Sequence, residues 1–378
     1  MRKMKLIALK DVCKINMGQS PNSSSYNDYG DGMPFFQGNA DFGERYPITR
    51  VWCNTPTKIA QAEDILISVR APIGALNYAK EECCIGRGLA AITPDRNKVS
   101  QDFIYWALKG KKAELNDKGN GSTFKAISRK ILEETMIPDI NFEQQHKCAE
   151  NLEKIYGIIQ NRRKELLALD DLIKARFVEM FGDPVSNPKG WDMVELGELT
   201  GIGSSKRIFE KEYVSEGIPF YRTKEIVELS KGNSISTELY ITEERFAEIK
   251  EQYGVPKAGD LLISAVGTIG IIWIVDGKND FYFKDGNLIR VDSSDKFDSV
   301  YMKNLLENLI VEYKKQMSSG TAYAALTISG LTKMKVYDVP MELQNQFADF
   351  VRQVDKSKLM FQKLHQQLNI LQKKAGDI

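Results

Sequence analysis

One stretch of this chain occurs twice. Ala62-Glu63-Asp64-Ile65-Leu66-Ile67-Ser68-Val69-Arg70-Ala71-Pro72-Ile73-Gly74-Ala75 is matched 196 residues later by Ala258-Gly259-Asp260-Leu261-Leu262-Ile263-Ser264-Ala265-Val266-Gly267-Thr268-Ile269-Gly270-Ile271, with seven of fourteen positions identical. Further matches keep the same order. Met33-Pro34-Phe35-Phe36-Gln37 pairs with Ile218-Pro219-Phe220-Tyr221-Arg222, and Gly121-Ser122-Thr123 with Gly320-Thr321-Ala322. Ile137-Pro138 pairs with Val339-Pro340, each leading into a Gln-containing helix start. Collinear matches at offsets of 185 to 202 residues predict a duplication, so the 378-residue chain is two copies of one unit.

Each copy has two parts. The first is mixed. Ile65–Val69 and Leu261–Ala265 predict buried strands entered from an Asp turn, and Ile271–Val275 a strand after a Gly turn. Phe103–Leu108 and Val300–Ile310 predict helices, and the Gly-Ser-Thr and Gly-Thr-Ala stretches predict loops. The second part is a long helix with a heptad register. Its apolar positions in copy one include Leu152, Ile155, Ile159, Leu166, Leu169 and Ile173, and in copy two Phe347, Phe350, Val354, Phe361, Leu364 and Leu368. This spacing predicts coiled-coil helices of roughly 50 Å, over 141–181 and 341–376, that bury their stripes against one another in antiparallel fashion. Phe181-Gly182-Asp183-Pro184 places glycine at a helix end and proline just beyond. The expected order is a first globular domain over 1–140, the central helix 141–181, a linker 182–190, a second domain 191–340 and a final helix 341–376.

Catalytic motifs are missing. The sequence has no G-x-G-x-x-G, Walker A or H-E-x-x-H run and no Pro-Pro pair. Pro94-Asp95 and Pro138-Asp139 lack the second half of a nuclease motif. The two histidines, His146 and His365, sit in polar helical contexts, which argues against a zinc site or a Ser-His or Cys-His centre. Five cysteines without a C-x-x-C pair predict reduced thiols and a cytoplasmic setting, with Cys83-Cys84 inside a strand. The apolar runs are too short for a signal-peptide core or a membrane span.

Two similar units held by paired helices suit the reading of two DNA half-sites in opposite orientation. Because the copies differ, the target is expected to be bipartite and asymmetric. The net charge of +1 divides unevenly. Residues 1–140 carry 20 basic and 16 acidic side chains, net +4, and residues 191–340 carry 18 and 23, net −5. Phosphate neutralisation supplies much of the affinity for DNA, so a partner protein is expected to add to it. Basic side chains cluster at Lys109, Lys111, Lys112, Lys118, Lys125, Arg129 and Lys130 in copy one. In copy two they are Lys206, Arg207, Arg222, Lys224, Lys314 and Lys315.

Lys174-Ala175-Arg176-Phe177-Val178-Glu179-Met180-Phe181-Gly182-Asp183-Pro184 is similar to the central stretch of type I restriction-modification specificity subunits. Asp260-Leu261-Leu262-Ile263-Ser264 followed by Gly267-Thr268-Ile269-Gly270 resembles their recurring motif, from which copy one departs at Glu63 and at Ala71-Pro72. The resemblance implies an α+β fold. Two similar mixed α/β target-recognition domains, related by pseudo-two-fold symmetry, are separated by a long antiparallel two-helix coiled coil. It implies a non-catalytic subunit that binds double-stranded DNA and docks two methyltransferase subunits. S-adenosylmethionine belongs on those subunits, with restriction/translocase subunits added to the complex. Arg or Lys suits guanine and Asn or Gln suits adenine. Candidate base readers are therefore Gln37, Asn39, Arg70, Arg87, Asn120, Ser122 and Lys125 in copy one, and Arg222, Lys224, Asn287, Thr321 and Tyr323 in copy two. Two other readings stay open: a coiled-coil spacer with protein-binding ends, and an enzyme fused to a recognition module.

Overall fold

A computed structural model describes residues 5–119, 125–317 and 325–376, without the side chains of 316–317 and 361–376. Two compact units emerge, one of residues 1–164 with 361–378 and one of residues 165–360.

In the first unit, β1 (Cys13–Met17), β2 (Ile65–Ser68), β3 (Leu76–Tyr78) and β4 (Leu89–Pro94) form an antiparallel sheet in the order β1-β4-β2-β3. In the second, β5 (Ile202–Gly203), β6 (Leu261–Ser264), β7 (Ile272–Ile274) and β8 (Leu288–Val291) repeat it as β5-β8-β6-β7. The shared strand order is the duplication in three dimensions.

The unbroken apolar runs of β2 and β6 follow from burial on both faces. Ile65 and Ile67 pack with Phe103, Ile104 and Leu108 of α1 (Gln101–Gly110), while Leu66 packs with Phe36, Ala60 and Ile85 of a second sheet. In unit two, Leu261 and Ile263 meet Tyr301, Leu305 and Leu306 of α3 (Ser299–Met317), and Leu262 meets Phe220, Tyr282 and Phe283. Between α1 and α3 in the chain lies α2 (Phe142–Phe181), and α4 (Met341–Gly376) closes it. Among the described residues no helix is long and apolar enough to cross a membrane.

The stripe of α2 is used differently from the expectation of helix on helix alone. Cys148, Ala149, Leu152 and Tyr156 join the β-core of unit one, whereas Leu169, Ile173, Phe177 and Phe181 join that of unit two. Ile159 is buried, and Ile155 and Leu166 are half-buried. A heptad register says that a face is apolar, not what covers it. Within unit two, residues 165–181 do run against residues 341–360 in opposite directions. Phe181 meets Phe347 edge to face at 5.6 Å, Arg176 lies over Phe350, and Asp170 pairs with Lys358 at 2.7 Å. Phe347, Phe350 and Val354 complete this core, while the side chains of Phe361, Leu364 and Leu368 lie outside the described residues.

One pairing of the copies shifts. Strand Leu6–Ala8 pairs with Met136–Pro138 and strand Met193–Glu195 with Lys335–Tyr337, registered Ile7↔Ile137 and Val194↔Val336. Ile137 therefore corresponds to Val336, not Val339. Two buried glutamines confirm the offset of 199. Gln145 accepts from Ser100 N at 2.7 Å and donates to Ile140 O at 2.8 Å; Gln344 accepts from Asp298 N at 3.0 Å and donates to Val339 O at 2.8 Å. Pro138 ends a strand while Pro340 precedes a helix, so the shared proline misaligned them.

Candidate nucleic-acid interface

The duplicated motif builds a strand-turn-strand frame. Buried Asp64 and Asp260 accept the N–H three residues earlier, from Gln61 at 2.8 Å and Lys257 at 2.9 Å. Buried Ser68 and Ser264 close the following turn. Ser68 Oγ donates to Pro72 O at 2.7 Å and accepts from Ala75 N at 2.9 Å; Ser264 Oγ donates to Thr268 O and accepts from Ile271 N at 2.9 Å. Before each Asp the backbone is left-handed, with Gly259 at φ 89° and Glu63 at φ 74°. Glycine is the residue that suits this conformation, so copy one departs from the motif at a strained position. The central stretch is structural too. Phe177 and Phe181 sit in the core, Gly182 ends α2 at φ 84°, and Asp183 accepts from Ser186 N at 2.9 Å. Hydrogen bonds from Ser186 hold its carboxyl below the usual carboxylate range. The most diagnostic residues therefore carry the frame, and chemistry must lie at its exits.

At those exits a seam of backbone hydrogen bonds joins distant segments of unit one. Gly88 N donates to Gln37 O at 3.1 Å, Val69 N to Gly88 O at 2.9 Å, Ile127 N to Val69 O at 2.9 Å, and Ala71 N to Lys125 O at 3.1 Å. Arg70 bridges Ala126. Four predicted residues, Gln37, Arg70, Arg87 and Lys125, thus lie in or directly beside one rim, and Asn39 follows two residues after Gln37. The side chains of Arg70, Arg87 and Lys125 are exposed, and none belongs to an ion pair among the described residues.

Unit two has the same seam in part, with Ala265 N donating to Asn287 O at 2.8 Å and Leu326 N to Ala265 O at 3.0 Å. Its cations are held. Arg222 Nη2 lies 3.2 Å from Glu225 Oε1, Lys224 reaches Glu225 and Glu238, and Arg207 lies 2.7 Å from Asp285. Asn120, Ser122, Thr321 and Tyr323 lie outside the described residues. The sequence reading passed over Asp41 and Glu225, whose carboxylates fix the rim. Their signal is an acidic residue four or five positions after a strand.

The wider basic cluster of copy one is mostly neutralised. Lys111 and Lys118 pair with Glu114, Arg129 with Glu133 and Lys130 with Glu134. Lys109 is packed over the rings of Tyr156 at 3.8 Å and Trp106 at 4.6 Å. Burial pushes its ammonium down to about 8. The folded state therefore prefers neutral lysine, and stability should rise as pH climbs from about 8 toward the unfolded value. Lys109→Met is expected to raise the melting temperature at pH 7 and to lose part of that advantage at pH 9; an advantage constant across this range would refute the assignment.

The five cysteines are free, and burial pushes the Cys13 and Cys83 thiols up to about 12. Cys83 and Cys84 lie within strand Cys83–Ile85, and His146 is exposed. Among the described residues no cluster of His, Cys, Asp and Glu could hold a metal ion.

Two copies of one α/β frame, whose loops at the exits of the same strands differ between the copies, define a tandem-repeat α/β architecture. The chain belongs to the family of the type I restriction modification DNA specificity domain, whose model matches residues 1–168 and 188–370. It is 47% identical over 152 residues to a Methanocaldococcus jannaschii chain provisionally named the type I restriction enzyme MjaX specificity subunit, covering 40% of this chain and 36% of that one. It is 27% identical over 263 residues to the MjaIX specificity subunit of the same organism, covering 62% and 60%. The matches thus span less than two thirds of these relatives' lengths. In fold it is similar to the crystal structure of a type I restriction-modification S subunit from M. genitalium, with a TM-score of 0.59 at 17% identity, covering 100% of this chain and 96% of that one.

Proposed function

We propose that this chain is the DNA-reading subunit of a cytoplasmic type I restriction-modification complex. Each unit reads one half of a bipartite, asymmetric site. α2 and α4 form the antiparallel coiled-coil spacer, relate the units by a pseudo-two-fold axis and dock two methyltransferase subunits. Those subunits carry S-adenosylmethionine, restriction/translocase subunits complete the complex, and this chain itself is non-catalytic. The observation that carries the reading is the family match over both copies of the duplicated frame.

The division of labour follows from general recognition chemistry. Contacts to phosphate set register, and contacts to base edges set sequence. The open cations Arg70 and Lys125 suit phosphates, and their loss should flatten the salt dependence. Arg70→Ala and Lys125→Ala are each expected to reduce the slope of log K against log salt by about 1, whereas Lys130→Ala, at a residue already paired with Glu134, leaves it unchanged. Equal slopes for all three would remove the rim from the interface.

The deciding experiment sequences methylated motifs in a host expressing the chain with its methyltransferase partner. Exchanging residues 1–140 for the corresponding segment of a related chain should alter one half of the motif only. A change in both halves, or in neither, would sink the two-unit assignment. A complex with no salt-dependent affinity for duplex DNA would favour the spacer reading instead.

A further inference from the structure

The residue that leaves the equivalent strand differs between the units. Strand Met33–Phe36 runs into Gln37, and strand Ile218–Tyr221 runs into Arg222. Each strand has one parallel neighbour, registered Phe36↔Ile85 and Tyr221↔Phe283, and one antiparallel neighbour, registered Pro34↔Trp52 and Pro219↔Tyr240. Both last carbonyls are held alike, Phe36 O by Gly86 N at 2.8 Å and Tyr221 O by Lys284 N at 2.9 Å. Both exiting N–H groups donate to a carboxylate a few residues on, Gln37 N to Asp41 Oδ2 at 2.7 Å and Arg222 N to Glu225 Oε2 at 2.8 Å. The backbone roots are therefore set by matching hydrogen bonds, and what changes from unit to unit is the side chain.

Those side chains have complementary chemistry. Gln37 is exposed, and its amide makes none of the hydrogen bonds among the described residues. Arg222 is half-buried and is oriented by Glu225, itself only 2% exposed, which takes Nη2 at 3.2 Å. A glutamine amide matches the major-groove edge of adenine, and a guanidinium matches that of guanine. With Nη2 tethered to Glu225 and Nε buried, the guanidinium is held in a fixed direction, as base-edge reading requires.

We propose that Gln37 and Arg222 are the matched base readers of the two half-sites, Gln37 selecting adenine and Arg222 guanine. The proposal rests on the DNA-reading function above and adds to it which positions read and what each prefers. Asp41 and Glu225 act as positioning residues for them.

The test uses the complex with its methyltransferase partner and sequences the methylated motif. Gln37→Arg should convert one base pair of the half-site read by unit one from A·T to G·C and leave the other half unchanged. Arg222→Gln should make the reverse change in the half-site read by unit two. Preference for the new base should be roughly 10- to 100-fold. Where an exchange yields no methylation, Gln37→Ala and Arg222→Ala decide, because loss of a reader should leave one degenerate position in an otherwise intact motif. An unchanged motif overturns the proposal. So does loss of methylation on every sequence by both variants of one position while the chain stays folded. A wild-type complex that methylates no bipartite sequence refutes the proposed function itself, which separates the two failures.

Discussion

Phe181→Ala is expected to destabilise the second unit by about 3–5 kcal/mol, among the largest losses that one truncation in this chain can produce. Phe181 is fully buried at the end of α2. Its ring lies 5.0 Å from Phe177, 4.9 Å from Tyr301 and 5.6 Å from Phe347. It therefore joins α2, α3 and α4 in one cluster, and truncation leaves a cavity that three helices and a sheet cannot readily close. Thermal unfolding followed by circular dichroism should show the melting temperature fall by on the order of 10 °C. The outcome against this account is a loss below about 1 kcal/mol, which would mean that the ring is replaceable by local repacking.

Asp260→Ala should come next, and it should cost more than the same change at Asp64. Asp260 accepts two backbone donors, Lys257 N at 2.9 Å and Ser293 N at 2.8 Å. Asp64 accepts Gln61 N at 2.8 Å. The residue matching Ser293 at the offset of 199 is Pro94, which has no N–H to donate. Removing the buried carboxylate leaves two part-buried backbone donors without their acceptor in one copy and one in the other, for losses of about 2–4 and about 1–3 kcal/mol. Urea unfolding of the two variants measures the difference. Equal losses would show that the second donor carries no weight.

Much of the frame was legible in the sequence because its devices are local. The Asp turn at a strand entrance and the apolar runs of β2 and β6 are each spelled out within about ten consecutive residues, and each occurs twice, although what they pack against lies further along the chain. The end of α2 was legible from Gly182 and Pro184 for the same reason. The rim was legible only as residue types. What joins Gln37, Gly88, Val69 and Ile127 is a chain of backbone hydrogen bonds between segments far apart in sequence. No spacing rule reports such a seam. Charge reading failed in a related way. Lys111, Lys118, Arg129 and Lys130 look like a basic patch along the chain, yet each has a glutamate within one helical turn. Arg70, Arg87 and Lys125 stand among the candidates by residue type, but only the pairing of the other cations separates them as open. The helix stripe met the same limit, since Leu152 joins the core of unit one and Ile173 a core that the sheet of unit two shares with α3 and α4, partners that periodicity alone cannot name.

The short strands at the borders of each copy have a consequence for synthesis. Leu6–Ala8 finds its partner at Met136–Pro138, and Met193–Glu195 at Lys335–Tyr337. The opening strand of each copy thus emerges from the ribosome long before the segment that pairs with it. At about 5–20 residues per second, the wait for the intervening stretch is roughly 7–30 seconds. During that interval an unpaired strand edge is open to other chains. Leu6–Ala8 and Met193–Glu195 are three residues each, too short to template much association, and the closing strand that seals each copy arrives immediately before its long helix.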